Sequence, residues 1–321
     1  MVTYVIRRLL YLVPVLLATS LIIFTFVSIS GDPLGQVRQI PQVSQSTIDA
    51  IIEENHLDRP LLVQYGYWLK EAVTNQFGNK LLSGEPIWPD LKRVMGNTLQ
   101  LIILAEILAV VIAIAVGVIA AVKQYSIFDY STTTLSFIGF STPVFWLALI
   151  LQIIFTNIYL NFDYRIFYTS GLSSPNPGNF WVDRLQHLAL PIITLTVIEI
   201  AQFGRYMRAA MLEVVNSDYV RTARAKGLRE GKVVMRHAFR NALIPLVTVV
   251  ALNFGALFGG VFATETVFAI DGMGRYFLSA LSARDLYPIM AWLMVSSVLV
   301  VLFNLVADLL YGWLDPRIRY D

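Results

Sequence analysis

The chain has 321 residues, a formal net charge of +2 and no cysteine; 56% of its residues are hydrophobic and only 14% are charged. Soluble domains carry about 25% charged residues, so this chain cannot cover a core with polar surface unless lipid covers part of it. The lack of cysteine excludes disulfides and thiolate sites, and His56, His187 and His237 are too far apart in sequence to suggest a metal cluster.

Arg7 and Arg8 precede an uncharged apolar run over 9–29. That run is longer than a signal-peptide core of about 7–15 residues and no small-residue cleavage site follows, so it predicts a retained first membrane helix over 9–30. Segment 31–97 is mixed in polarity. Within it Ile48, Ile51 and Ile52 recur at helical spacing opposite Asp49, Glu53 and Glu54, and Tyr65, Trp68 and Leu69 share one face over 62–73. Two short helices outside the membrane fit this pattern.

Five further runs reach the length of about 20 residues that a helix needs to cross the hydrocarbon core. They are 97–122 with Glu106 as its one charge, 130–160 with Pro143 inside, 188–204 with Glu199 and with Pro191 near its start, 242–264 without charge, and 287–314 with Asp308. The stretch 161–186, rich in Ser, Pro, Gly and Asn, predicts an irregular loop. The fold class expected is therefore an all-α membrane protein with about six transmembrane helices and a small external segment after the first. The expected organisation is 1–30 for the N-terminus and first span, 31–97 for the external segment, and 98–321 for the core.

Lys and Arg near the spans set orientation. Loops 1–8, 123–130, 205–240 and 315–321 hold 14 basic residues in 59 positions; loops 31–97, 161–186 and 266–286 hold 10 in 114. The first set is expected inside, with both termini cytoplasmic. Most of the bias comes from 205–240, with nine basic residues and three acidic ones.

That loop predicts a short helix. Asn216 and Ser217 suit its N-cap, Asp218 its first turn, Arg224 and Lys226 its last turn, and Gly227 its stop. Ala223 and Gly227, four apart, predict a flat face open to close approach, and the surrounding basic charge suits an acidic groove. A basic loop lying on lipid headgroups explains the same charges. A second basic helix is expected from about Glu230 into the next span.

The run Asp218-Tyr219-Val220-Arg221-Thr222-Ala223-Arg224-Ala225-Lys226-Gly227-Leu228, with Arg236-His237 and Arg240-Asn241-Ala242-Leu243-Ile244-Pro245, resembles the signature loop of peptide-type ABC importer permeases. Gly31-Asp32-Pro33, Leu57-Asp58-Arg59-Pro60-Leu61, Glu265-Thr266-Val267-Phe268, Gly272-Met273-Gly274, Asp308-Leu309-Leu310-Tyr311 and Asp315-Pro316-Arg317 extend the resemblance to the B-type subunit of oligopeptide and dipeptide importers over essentially the whole chain. Arg221-Thr222-Ala223 replaces the Glu-Ala-Ala of the general permease loop, as is usual in the peptide subfamily. Asp271 stands where proline is commoner, and Phe77-Gly78-Asn79 replaces a more regular Gly-Asp-Leu-Gly stretch.

The resemblance implies a type I ABC importer permease fold. It implies that the loop helix couples to a separate ATPase through Asp218, Arg221, Thr222, Ala223, Arg224, Lys226 and Gly227. The implied partners are a second homologous permease, two ATPase subunits or domains, an external substrate-binding protein and membrane lipid, with no nucleic acid. ATP and magnesium would be bound by the ATPases and no cofactor by this chain, which would sit in the cell membrane of a prokaryote. The cargo implied is an oligopeptide or dipeptide; nickel chelate or haem are alternatives within the family.

Other features bound the reading. Gly227-Leu228-Arg229-Glu230-Gly231-Lys232-Val233 is one residue short of a Walker loop and lacks its hydroxyl, so ATP hydrolysis is not expected here. Ionisable residues in spans are costly and mark pathways or structural pairs, so Glu106, Glu199, Gln202 and Asn253 are candidates for lining a path. Gly255 and Gly259 are candidates for close helix packing. An ion-coupled secondary transporter predicts paired repeats and mid-membrane relays, and a membrane enzyme predicts a catalytic motif; neither pattern stands out.

Overall fold

The computed structural model describes residues 2–31, 34–35, 38, 43–81 and 83–314. Expectations placed on Asp32-Pro33, on Asp315-Pro316-Arg317 and on the C-terminal tail lie outside these residues. The described residues form thirteen α-helices, one π-helical segment and no strand. Six helical stretches are long and apolar enough to cross a membrane: Leu9–Ile29, Ile87–Val122, Val144–Phe162, Phe180–Val215, Glu230–Gly255 and Leu286–Leu310. The preference follows from the solvent, because a lipid-exposed backbone must satisfy every N–H and C=O within its own segment.

The chain divides into two compact units, 1–98 with 271–302 and 99–270 with 303–321. In the first, α1 (Val2–Ile29) is followed by α2 (Gln45–Glu54) and α3 (Leu61–Thr74), the two short helices that the spacing predicts. Ser44 caps α2 by accepting from Thr47 N–H at 3.2 Å. Phe24, Trp68, Leu81, Leu286 and Met290 form a small core, with Tyr65 packed edge-on against Phe24 and its hydroxyl 2.8 Å from Ser20 Oγ. Thus α3 is held to the first span by both apolar and polar contact. Lys80, outside the spans, pairs with Glu85 at 2.9 Å and Asp90 at 2.7 Å; burial works against its charge, but the two carboxylates outweigh that and raise its pKa above the ordinary lysine value. An additional helix, α12 (Met273–Ala283), occupies a stretch read as loop, opened by Thr98 Oγ1 accepting the Met273 N–H at 2.8 Å.

The second unit is built on α7 (Phe180–Val215), 36 residues long. Its buried positions run from Leu188 through Leu195, Phe203 and Met207 to Met211, with the other helices packed round them. The predicted span over 188–204 is thus only the middle of this helix, and Pro191 lies inside it rather than near its start. Helix α4 (Ile87–Val122) passes α7 at very close range: a Cβ added at Gly117 would lie 2.6 Å from Met207 Cβ and 2.9 Å from the Gly204 carbonyl. Thr196 Oγ1 also donates to Ala105 O at 3.2 Å.

The predicted run 130–160 is two helices, α5 (Ile127–Ser141) and α6 (Val144–Phe162). The break is at Thr142-Pro143, where both residues are extended. The proline ring clashes with a helical residue before it and supplies no N–H. The order α8 (Asp218–Ala225), α9 (Glu230–Lys232), a π-helical segment Val233–Ala238 and α10 (Phe239–Gly260) follows α7. Helix α11 (Phe262–Val267) follows α10, and α13 (Leu286–Leu314) closes the described chain.

Gly117→Val should be among the most disruptive single changes in the second unit, since the wall it meets includes backbone and Cβ atoms with no room to yield. A loss of about 1–3 kcal/mol is expected from such overpacking, read as a lower thermal midpoint in detergent; an unchanged midpoint would show that α4 and α7 do not approach at this glycine.

A clamped helix after the longest span

Two residues end α7 and begin α8. Asn216 Nδ2 donates to Leu212 O at 2.9 Å and Ser217 Oγ donates to Val214 O at 2.6 Å. Both side chains therefore close the preceding helix. Ser217 still occupies the N-cap position of α8 but makes no side-chain cap bond to it. Asp218 lies in the first turn, where a negative charge suits the helix dipole. Past the last turn, Gly227 takes φ +71°, a left-handed conformation that only glycine adopts without strain. The stop that the sequence predicts is the one observed.

Helix α8 has an inward and an outward side. Val220 is fully buried and Ala223 is 6% exposed, both packed in a cluster with Met207, Met211, Val233, Val234 and Ala238. Burying Val220 contributes about 1.5–3 kcal/mol to holding the helix in place. The structure therefore sets Ala223 on the chain's own core. It does not share a partner-facing surface with Gly227, which lies beyond the helix end, exposed and with open space beside it. The outward surface is Asp218, Arg221, Thr222, Ala225 and Lys226.

Arg224 turns along the loop. It meets Glu230 through Nη2 at 2.8 Å and Nε at 3.1 Å, and Nη1 donates to Val215 O at 3.2 Å. One side chain thus ties the end of α7, the end of α8 and the start of α9. The paired Glu230 carboxylate raises the Arg224 guanidinium pKa above its ordinary value. Across from it, Asn241 Nδ2 donates to Tyr219 Oη at 2.8 Å and fixes that half-exposed ring. Neither tie has a local signal in the sequence beyond opposite charge six residues apart for Arg224 and Glu230.

The polar residues within the spans come together on three helices. Glu106 on α4 is 4% exposed and Glu199 on α7 is 6% exposed, near enough for their charges to interact. Asn253 on α10 donates to Glu199 Oε2 at 2.6 Å, while both Glu106 oxygens are buried without a hydrogen-bond partner. Gln202 is half-buried one turn along α7. Gly255 is buried in α10 and Gly259 lies in the same helix.

The ends of α5 and α7 carry a pair that the sequence reading missed. Asp129, 2% exposed, receives Arg208 as a fork, Nε to Oδ1 at 2.5 Å and Nη2 to Oδ2 at 2.8 Å. The bonds from Arg208 hold the Asp129 carboxyl below the usual carboxylate range against the opposing effect of burial. These residues are 79 apart in sequence, so no local pattern joins them, and Arg208 falls in the stretch 205–240 expected to be loop. A further cluster, Ser174, Asp183 and His187, resembles a hydrolytic triad in residue type only. Ser174 gives its hydroxyl proton to Asp183 at 2.6 Å, and His187 Nδ1 lies 3.0 Å from Ser170 O. The cluster fastens the irregular loop to α7.

The described residues thus form an all-helical membrane chain with an outward-facing basic helix between two of its spans. A family model described as the binding-protein-dependent transport system inner membrane component matches residues 113–320. The chain is 38% identical to the oligopeptide transport system permease protein AppB of Bacillus subtilis, over all of both chains. It is 39% identical to the dipeptide transport system permease protein DppB of Alkalihalophilus pseudofirmus, again over all of both. A crystal structure titled as an amino acid ABC transporter with histidines covers 70% of this chain and 94% of its own, with TM-score 0.53 at 13% identity, a likeness of fold. The chain belongs to the binding-protein-dependent transport system inner membrane component family. It is a multi-pass membrane transport subunit, and ATP hydrolysis belongs to a separate subunit.

Arg224→Ala and Glu230→Gln should loosen the same segment, because each removes one side of one tie. Amide hydrogen exchange over 218–228 is expected to rise about two- to fivefold in either variant, with the double variant no worse than the worse single; additive effects would mean that the two residues act apart.

Proposed function

We propose that this chain is one of two permease subunits of an ABC importer of short peptides, coupled to its ATPases through the outward side of α8. The observation that carries the reading is the construction of α8: Val220 and Ala223 anchor one side in the chain's core while Asp218, Arg221, Thr222 and Lys226 are exposed on the other. A helix held this firmly passes a push on its outer surface into α7. The basic outer charges suit an acidic cleft on a nucleotide-burning partner. Arg224 acts one step back, as the tie that keeps the helix seated, and Gly227 allows the chain to turn away at once.

The peptide cargo is supported by full-length likeness to proteins named as oligopeptide and dipeptide permeases, which favours peptides over nickel chelates or haem. The assembly implied is this chain, a second similar permease, two ATPase subunits carrying ATP and magnesium, and an external binding protein that selects cargo. The basic loop 205–240 supports a cytoplasmic position for α8 and both termini. Within the spans, half-buried Gln202 and Asn253 border the path, and buried Glu106 and Glu199 support them from behind.

Reversing two outward charges together, Arg221→Glu with Lys226→Glu, tests the coupling surface. The variant should insert and fold as wild type, since neither side chain is buried, yet lose about tenfold or more of its ATPase association in co-purification, with uptake of a labelled di- or tripeptide falling alongside. Full association in the double variant would remove α8 from the interface. Uptake of nickel chelate or haem but no peptide, with the cognate binding protein present, would overturn the cargo.

A further inference from the structure

Helices α5 and α7 are fastened at three levels along their contact. At the first, a Cβ added at Gly139 would sit 3.0 Å from Ala201 Cβ, so the two backbones run close together. One turn along α7, the Arg205 guanidinium lies 4.7 Å from the centre of the Phe140 ring and 5.4 Å from that of Phe137. A further turn on, Arg208 grips Asp129 in the fork described above, and the Tyr125 N–H adds a third donor to that carboxylate at 2.9 Å. Beyond Arg208, α7 runs two more turns and leads through Asn216 and Ser217 into α8. At its other end, α5 stops at the Thr142-Pro143 break, beyond which α6 begins.

This arrangement fastens α5 to α7 along its length and leaves one joint, at Thr142-Pro143, where α5 meets α6. A forked, charge-assisted pair fixes both distance and rotation, because two parallel N–H···O bonds tolerate little twist. Stability alone does not call for such a pair: buried ion pairs are often replaced by apolar residues of similar size without loss. What an apolar contact does not reproduce is the fixed rotational register.

We propose that Asp129 and Arg208 are positioning residues that lock α5 to α7 as one lever, so that displacement of α8 turns α5 about the Thr142-Pro143 joint. The proposal rests on the reading of α8 as the ATPase contact. Arg205, wedged between Phe137 and Phe140, keeps the middle of the lever from shearing. Displacement at α8 then reaches the membrane helices through α5 as well as through the shaft of α7, in the manner of rigid elements moving about a few hinge residues.

The test uses the whole complex of both permeases, ATPases and binding protein in proteoliposomes. Three variants are compared: Asp129→Asn, the apolar double Asp129→Leu with Arg208→Met, and the swap Asp129→Arg with Arg208→Asp. In Asp129→Asn and in the apolar double, ATPase co-purification should stay at the wild-type level while peptide moved per ATP hydrolysed falls about tenfold. The apolar double should in addition keep a wild-type thermal midpoint, separating transmission from stability, and the swap should regain a substantial part of the lost ratio. An apolar double that transports at the wild-type ratio overturns the lever and leaves Asp129 and Arg208 as packing. If the wild-type chain itself fails to bind ATPase through α8, the functional reading fails first, and that result is seen in co-purification before any ratio is measured.

Discussion

The second unit depends on one helix, α7, being long and buried. A lipid environment gives no hydrophobic drive for one apolar helix to seek another, so packing must come from close fit and from polar contacts between helices. Helix α7 supplies both. Gly204 and Met207 meet Gly117 of α4 at near-contact range, Ala201 meets Gly139 of α5, Glu199 meets Asn253 of α10, and Arg208 meets Asp129. Glycine contacts hold α4 and α5 close to α7, a hydrogen bond holds α10, and a charged pair adds to the hold on α5. Three charged side chains of α7, Glu199, Arg205 and Arg208, meet Asn253, the Phe137 and Phe140 rings and the Asp129 carboxylate in turn.

That arrangement explains what hydropathy made legible and what it hid. Runs of apolar residues predict spans because length and composition alone decide whether a segment can cross, and the six spans were visible for that reason. The short helices α2 and α3 were visible through the spacing of Ile48, Ile51 and Trp68. The division of 130–160 was hidden because hydropathy does not register a break of two residues; Pro143 carried the signal, and a proline in a membrane helix is ambiguous between a bend and an end. The full length of α7 was hidden because its ends are polar, and polar ends look like loop when the partners that bury them are unknown. Helix α12 was hidden because its stretch holds arginines and lies between apolar runs.

Helix α8 was the clearest element in the sequence and the one whose orientation was least legible. Ser217, Asp218 and Gly227 fix its limits by local rules of capping and chirality, which need no tertiary knowledge. Which side turns outward is a tertiary matter. Two small residues four apart suggest a surface made for another protein's approach, yet the same smallness suits Ala223 to lie against the chain's own Val233 and Ala238 in a crowded core. A small residue signals close approach without saying by what, and here the approaching surface belongs to the chain itself.

The placement of Ala223 inward bears on how force can enter the membrane. A helix attached only by its two ends would bend when pushed, and the push would be lost in the loop. Here the inward side is seated by apolar contact, Arg224 bonds forward to Glu230 and back to Val215, and Tyr219 is held by Asn241 from the start of α10. Three independent attachments leave α8 no easy motion except together with the ends of α7 and α10. The π-helical segment Val233–Ala238 follows α9 directly and leads into α10. A second interruption of regular helix lies at Thr142-Pro143, where α5 ends and α6 begins. A displacement of α8 therefore carries the ends of α7 and α10 with it.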